Sequence, residues 1–149
     1  MIDIQTKAFK DLTQLELYQV LRLRSEVFVV EQDCVYQDID GKDEKAFHVL
    51  GIKENSIIPY ARIFRPNDYF DMASIGRVVV KKTERKYGYG HDIMKASIDA
   101  IHNIFNETGI KISAQKYLEK FYTQHGFSKQ GDEYLEDGIP HVCMVKDEK

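Results

Sequence analysis

Apolar residues along the chain fall into two periods that separate strands from helices. Ile2 to Thr6 alternates apolar and polar, as a half-buried strand does. Thr13-x-x-Glu16 is a capping box, and Leu15, Tyr18, Leu21, Ser25 and Phe28 follow at helical spacing. That face should be buried, with Arg22 and Glu26 in water. Residues 29 to 38 have no clear period and read as a loop with a short second helix. Ala46 to Lys53 and Ile57 to Arg65 read as antiparallel strands joined by the hairpin-length turn Glu54-Asn55-Ser56. Ser74 to Lys82 is another strand, and its Val78-Val79-Val80 run suits a buried position. From Tyr89 to about Asn106, Ile93, Met94, Ser97, Ile98, Ile101, Ile104 and Phe105 make one broad helical stripe that Gly109 ends. Ile110 to Ala114 is a short strand. Leu118, Phe121, Tyr122 and His125 return to helical spacing, with Gly126 placed as the stop. Phe127 to Gln130 and His141 to Val145 are the last strands, joined through Glu136-Asp137-Gly138.

The order β-α-β-β-β-α-β-α-β-β predicts a single α/β domain over residues 1–149. Its mixed central sheet should have about six to seven strands, with helices on both faces. The strand–helix–strand–helix passage from Ser74 to His125 implies a parallel pair with a right-handed crossover. Ligands of open α/β sheets gather at the carboxyl ends of such strands. Arg85 to Gly90 and the residues near Gln115 should therefore lie on one side.

Composition narrows the function classes. The chain is 43% hydrophobic and 30% charged, with a net charge of -3, which argues against a general nucleic-acid or membrane-surface binder. Cys34 and Cys143 lie far apart outside any C-x-x-C motif and are expected to be reduced. The first apolar stretch carries Asp3 and Lys7, unlike a signal peptide, and no apolar run approaches the roughly 20 residues of a membrane helix. A cytoplasmic protein is expected. The histidines are scattered without H-x-x-x-H spacing, so no metal is implied. Asp38-Ile39-Asp40-Gly41-Lys42-Asp43-Glu44 resembles a calcium loop, but Tyr36 and Phe47 would fall at its first and twelfth ligand positions. A solvated acidic turn is expected instead.

The chemistry concentrates between Val78 and Gly90. There a strand runs through the basic turn Arg85-x-x-Gly88-x-Gly90 into a helix N-terminus. First-turn N–H groups lack intrahelical acceptors, and the helix dipole is positive at that end. Glycine allows close backbone approach and positive φ. Gly88 and Gly90 should frame a phosphate or pyrophosphate, with Arg85 and Lys86 adding charge. An ordinary strand-to-helix turn explains the local string equally well. A dinucleotide fingerprint would need glycine where Ile93 stands, and no P-loop Gly-Lys-Ser/Thr occurs.

With this element order, the chain resembles GNAT-type acetyl-CoA-dependent N-acetyltransferases. The matching motifs are Arg85-x-x-Gly88-x-Gly90 after Val78 to Val80, and Gln115-x-x-Leu118-x-x-Phe121-Tyr122-x-x-x-Gly126-Phe127. Four further strings are similar to the ElaA-like subgroup: Arg24-x-x-Val27-Phe28-Val29-Val30-Glu31-Gln32, Asp38-x-Asp40-Gly41, Ile75-Gly76-Arg77-Val78, and Glu136-Asp137-Gly138-Ile139-Pro140-His141.

The resemblance implies acetyl transfer from acetyl-CoA to an amine by direct attack in a ternary complex. Val78, Val79 and Val80 would pair with the pantetheine arm, and an N–H near Val79 would polarise the thioester carbonyl. Arg85, Lys86, Tyr87, Gly88, Tyr89 and Gly90 would wrap the pyrophosphate, with Gln115 and Phe121 also on the cofactor side. Tyr122 would protonate the departing thiolate, although an aromatic beside Phe121 on an apolar helix face is also ordinary core. A primary amine of pKa about 10.4 costs about 4–5 kcal/mol to free at pH 7, so a proton acceptor is needed. Glu31 is the first candidate, beside Asp40, Glu136 and His141. Arg24, Gln32, Arg77 and His141 are candidate acceptor-binding residues; Arg24 and Arg77 could equally pair with carboxylates inside the domain. The alternative function is a non-catalytic acyl-CoA-binding or partner-docking module on the same fold. Monomer and homodimer both remain open.

Overall fold

The structure, a computed structural model, describes residues 2–147. Strands β1 (Asp3–Ala8), β2 (Phe47–Lys53), β3 (Ser56–Phe64), β4 (Ala73–Val80), β5 (Gly109–Gln115), β6 (Ser128–Glu136) and β7 (Ile139–Asp147) form one mixed sheet. Their order is β1-β2-β3-β4-β5-β7-β6, and only β4 and β5 run parallel. Helices α1 (Gln14–Arg24), α2 (Tyr89–Ala100) and the short α3 (Glu119–Thr123) complete the α/β domain. Strand alternation sends neighbouring residues to opposite faces, which gives two cores. Val49, Ala61, Ile63 and Ile112 pack with Ile93, Met94 and Ile101 of the α2 segment. Leu50, Tyr60 and Val79 pack on the other face with Val20, Leu23, Val27 and Phe28 of the α1 segment. Helices thus cover both faces, as the pattern predicted.

Local signals account for several boundaries. The capping box forms, with Glu16 N–H donating to Thr13 Oγ1 at 3.0 Å and Thr13 N–H donating to Glu16 Oε1 at 2.9 Å. Lys53 pairs with Ser56 across a two-residue turn in which Glu54 and Asn55 have φ of 50° and 65°, the twist a tight hairpin favours.

Other expectations need correction. Leu15 and Tyr18 are 64% and 67% exposed, so the expected face of the first helix is not the buried one. The true stripe is Val20, Leu23, Arg24, Val27 and Phe28, one continuous i, i+3, i+4 series with a charge inside it. The helical chain also widens into a π-type turn over Ser25–Glu31 and so runs past Phe28 into residues 29 to 31, where a loop with a short second helix was expected. A similar turn at Ile101–Phe105 shifts the periodicity and leaves Ile104 exposed. The last two strands are longer than predicted. A register shift between Gln130 and Tyr134 interrupts the alternation, and β6 is exposed almost throughout.

The largest correction concerns the acidic turn, which is not solvated. Asp38 and Asp43 are buried, and Arg24 and Arg62 are only 0% and 1% exposed. Arg24 contacts Asp38 at 2.8 Å and Asp43 at 2.7 Å. Arg62 contacts Asp40 at 2.6 Å and Asp43 at 2.9 Å, and Arg77 reaches Asp38 at 2.7 Å. Three guanidinium groups meet three carboxylates, so the enclosed charge cancels. Beside them the buried His48 accepts at Nδ1 from Tyr60 OH at 2.6 Å and donates from Nε2 to the Asp43 carbonyl at 3.0 Å.

Removing one partner from such a cluster strands a buried charge. Asp43→Ala should therefore lower stability by about 3–5 kcal/mol. For a domain of this size that is a Tm loss on the order of 10 °C. A calorimetric loss near zero would show that the cluster is not structural.

The cluster also predicts an acid dependence. Burial alone would raise the pKa of Asp40 and Asp43, but their arginine partners outweigh it and hold both below the usual range. The unfolded chain then binds protons first, so this contribution is present above about pH 4 and is lost as the pH falls further. Burial likewise lowers the pKa of His48, adding a loss that begins near its ordinary value of about 6.5. Urea midpoints should decline gently below about pH 6.5 and steeply below about pH 4; a flat profile to pH 3 would contradict this account.

Candidate active site

The parallel pair opens almost as soon as it forms. Only Ala73 with Ile110 and Ser74 with Lys111 are paired between β4 and β5. Beyond them the facing edges carry no cross-strand partners, while β5 stays paired to β7 along its other edge. A cavity of about 690 Å³ occupies this opening. A bulge in β4 accompanies the divergence: Arg62 pairs with Gly76 and Tyr60 with Val79, so Arg77 and Val78 together oppose Ala61. Arg77 has φ of 51°, an unusual conformation for a residue with a side chain. Its guanidinium is anchored to the Asp38 carboxylate and, at 3.0 Å, to the Asp38 carbonyl. The buried ion cluster therefore grips the strand where it leaves β5.

Backbone groups alternate sides along a strand. Lys81 N–H donates to Ile58 O at 2.9 Å, toward β3. Val79 N–H turns the same way, and the peptide groups of Val80 turn to the cleft. The Val80 carbonyl accordingly accepts from Arg85 Nε at 3.1 Å. The register thus commits Val79 N–H to the sheet, and the neighbouring N–H that faces the cleft is that of Val80.

After β4 the turn Lys82–Tyr87 leads to Gly88 at φ 75°, where a side chain would be strained. His91 N–H donates to the Gly88 carbonyl at 3.1 Å, which leaves the N–H groups of Tyr89 and Gly90 at the open start of α2. Arg85 spans the mouth and forks onto Glu31 at 2.5 and 2.7 Å.

The cavity gathers most of the residues singled out from sequence. Val78, Val79, Val80, Arg85, Lys86, Gly88 and Gly90 line one side, with Gln115, Phe121 and Tyr122 across from them in sequence order of the next strand and helix. Glu31, Gln32, Arg77 and His141 also line it. Four candidates do not, one of them Asp40, which is held by Arg62 at 2.6 Å. Arg24 is consumed as an internal counter-ion, because burying its guanidinium requires Asp38 and Asp43. Tyr87 packs under the Lys53 ammonium, 4.6 Å from its ring, and Tyr89 is buried toward Ile2 and Ile4. At a helix N-terminus it is the backbone that faces the cleft, and these side chains point elsewhere.

Two candidate roles change in character. The hydrogen bonds and charge of Arg85, stronger than its partial burial, hold the Glu31 carboxyl below its ordinary pKa. That makes Glu31 a poorer proton acceptor than a free carboxylate. Burial raises the pKa of Tyr122, which makes no hydrogen bond within the protein among the described residues. Such a phenol keeps its proton at neutral pH and is suited to donate a hydrogen bond.

Sequence reasoning missed Tyr36, Ser113 and Tyr134. Alternation offered a signal for one of them: Ile110, Ile112 and Ala114 are buried, so Lys111, Ser113 and Gln115 share the opposite face. Tyr134 OH is hydrogen-bonded to Ser113 Oγ, which donates to Glu136 Oε1 at 3.0 Å. Cys34 Sγ lies 3.4 Å from the Asp137 carbonyl and joins the loop after α1 to the β6–β7 turn.

A seven-stranded mixed sheet parted at its parallel pair, with a glycine turn and helix N-terminus at the opening, is an acyltransferase architecture. Residues 9–148 match the Acetyltransferase (GNAT) domain, and the chain belongs to that family. Protein ElaA of Escherichia coli (strain K12) is 37% identical over 149 residues, covering 99% of this chain and 97% of its own length. The crystal structure of Escherichia coli ElaA superposes with a TM-score of 0.92 at 36% identity, covering 99% of this chain and 100% of that one. An acyl-CoA N-acyltransferase from Pseudomonas aeruginosa gives a TM-score of 0.92 at 37% identity, with the same coverage. No helix among the described residues is long and apolar enough to cross a membrane. No group of three or more His, Cys, Asp or Glu that could hold a metal occurs among them.

The Glu31–Arg85 pair gives a direct test of the turn as an anion site. An anionic ligand at α2 competes with Glu31 for the guanidinium, and partly exposed ion pairs are weak. Glu31→Gln should therefore tighten CoA binding by about two- to fivefold at low salt, read by isothermal titration calorimetry. Weaker binding in that variant would show that Glu31 supports the ligand instead.

Proposed function

We propose that this chain transfers the acetyl group of acetyl-CoA to a primary amine by direct attack within a ternary complex. One observation carries the reading: the unpaired β4 edge leads straight into the Gly88 turn and the start of α2. A strip of cleft-facing peptide groups, of which the Val80 carbonyl is held by Arg85, ends at a helix N-terminus and suits an extended amide-bearing arm joined to a pyrophosphate. The pantetheine arm lies along Val78 to Val80, and the pyrophosphate rests on the first N–H groups of α2 with Arg85 and Lys86 beside it. Gln115 and Phe121 flank the cofactor from the other wall.

Chemistry then takes place where the strands part. The amine nitrogen bonds to the thioester carbonyl carbon, and a cleft-facing N–H of the Val78 to Val80 segment stabilises the oxyanion. The carbon–sulfur bond breaks, and the nitrogen gives up its proton as the amide forms. Tyr122 offers its hydroxyl to the sulfur as thiolate character develops. Its raised pKa makes this hydrogen-bond donation with late proton transfer, not prior ionisation. The description of the family supports an acetyl donor.

Two measurements test the reading. Acetyl-CoA at about 100 times its Kd should add about 2.7 kcal/mol of stability. That is a Tm rise of roughly 5–10 °C for a domain of this size. Arg85→Ala should reduce the rise, and Gly88→Val, which strains the φ 75° turn, should remove it; no rise in the wild type would overturn the cofactor. Free thiol should appear when an amine panel is added, and Tyr122→Phe should slow its release by about 10²-fold. Undiminished turnover would take Tyr122 out of the mechanism.

A further inference from the structure

The acceptor half of the cavity holds a proton-handling pair that the cofactor does not use. His141 stands opposite Gln115 across the β5–β7 pairing, at the end of β5 that borders the opening. It is 6% exposed and lines the cavity. Its Nδ1 lies 2.7 Å from the Ile139 carbonyl, an atom that can only accept, so Nδ1 carries the hydrogen. The Nε2 lone pair is thereby left as an acceptor.

Glu136 faces that nitrogen. Ser113 Oγ donates to Glu136 Oε1 at 3.0 Å, and Tyr134 OH in turn engages Ser113, which fixes the carboxylate. The Tyr134 ring also stacks on His141, with centroids 6.1 Å apart and planes 27° from parallel. Glu136 Oε2 lies 3.9 Å from His141 Nε2, too far for a hydrogen bond between them. A nitrogen at the apex above this gap would sit about 2.8 Å from both atoms, the distance of a charge-assisted hydrogen bond.

The surrounding charge selects the sign of the guest. Arg77, the cation on this wall, is matched by Asp38 at 2.7 Å. Asp137 lines the same region with Glu136. The unmatched charge is negative, which favours a cationic acceptor over an anionic one.

We propose that the acceptor binds as a primary ammonium ion between Glu136 and His141, and that His141 Nε2 takes the proton that frees the amine. The inference rests on the acetyl transfer proposed above. The ammonium gives one proton to the neutral imidazole, and the freed lone pair attacks the thioester carbon. Collapse expels the sulfur, which takes the Tyr122 hydroxyl proton; the amide nitrogen's second proton restores the phenol, and imidazolium later returns its proton to water. The products are the amide, CoA thiol and one proton. Glu31, whose two oxygens pair with Arg85, competes for this part only where the pyrophosphate draws Arg85 away.

Three readouts test the assignment on the full chain. Nitrogen-15 NMR of the imidazoles should show His141 with hydrogen on Nδ1 in the free protein; a hydrogen on Nε2 alone overturns it. Thiol release should be followed with 1,4-diaminobutane and with the less basic amine glycinamide. His141→Gln should lower kcat for 1,4-diaminobutane by about 10²–10⁴-fold and for glycinamide by much less, because the weaker base needs less help. Equal losses for both amines, or none, overturn the proton transfer. Glu136→Gln should raise KM for 1,4-diaminobutane at least tenfold, and an unchanged KM overturns the ammonium site. Wild-type failure to release thiol with either amine overturns the acceptor class. Both variants should keep the acetyl-CoA thermal shift. Loss of the shift in the wild type refutes the cofactor reading, whereas loss only in the variants refutes the placement of this pair on the acceptor side.

Discussion

Enclosing two buried arginines and the partly buried Arg77 is the constraint on which the rest of this structure depends. Arg24, Arg62 and Arg77 come from α1, β3 and β4, and none could be enclosed without a counter-charge. The loop carrying Asp38, Asp40 and Asp43 supplies all three carboxylates, so it is pulled from solvent into the domain. Asp43 touches both Arg24 and Arg62, and Asp38 touches both Arg24 and Arg77. This sharing ties the end of α1, the middle of β3 and the bulge of β4 into one unit. A hydrophobic cluster could bury equal area but would not fix the direction of Arg77, whose positive φ accompanies the bulge. The opening between β4 and β5 is thus coupled to a charge cluster that never lines the cofactor half.

The cavity divides by the kind of atom that does the recognising. On the side proposed for the cofactor, the groups that face the cleft are peptide N–H and C=O of β4 and the start of α2, whose directions follow from register and helix polarity. They tolerate many side chains provided Gly88 can hold its turn. On the side proposed for the acceptor, the cleft is lined instead by side chains from separate strands: Ser113 on β5, Tyr134 and Glu136 on β6, and His141 on β7. Register brings these together, since Tyr134 pairs with His141 and Glu136 with Ile139. A slip by one residue would turn Glu136 and Tyr134 to the opposite face.

That division explains what could be read from the chain alone. The glycine turn, the β4 valines and the Phe121-Tyr122 helix are local features, with spacing and composition set within a few residues. The parallel pair and the coverage of both sheet faces followed from element order. The misreadings share a cause: charge was taken as a mark of solvent. Arg24 lies on the buried stripe of α1, and its internal pairing with carboxylates was one of the two readings open, yet the predicted face ran through Leu15 and Tyr18, which are exposed. The acidic turn misled in the same way, because its partners lie 14 to 39 residues away in sequence. The extent of β6 was hidden for the opposite reason: an exposed edge strand with a bulge needs no apolar alternation.

The two carboxylates nearest the chemistry differ through their partners, not their intrinsic acidity. Glu31 meets a full guanidinium, which satisfies both its oxygens and lowers its proton affinity. Glu136 meets a hydroxyl at one oxygen and leaves the other directed at His141 without a hydrogen bond. A carboxylate held by a neutral donor keeps its charge available to a guest cation, whereas one locked to arginine has already spent it. Proximity to the cavity therefore does not rank the candidate bases. In the proposed transfer the ranking follows which lone pairs remain free, and on that ground it favours Glu136 and His141, whose Nδ1 lies against the Ile139 carbonyl.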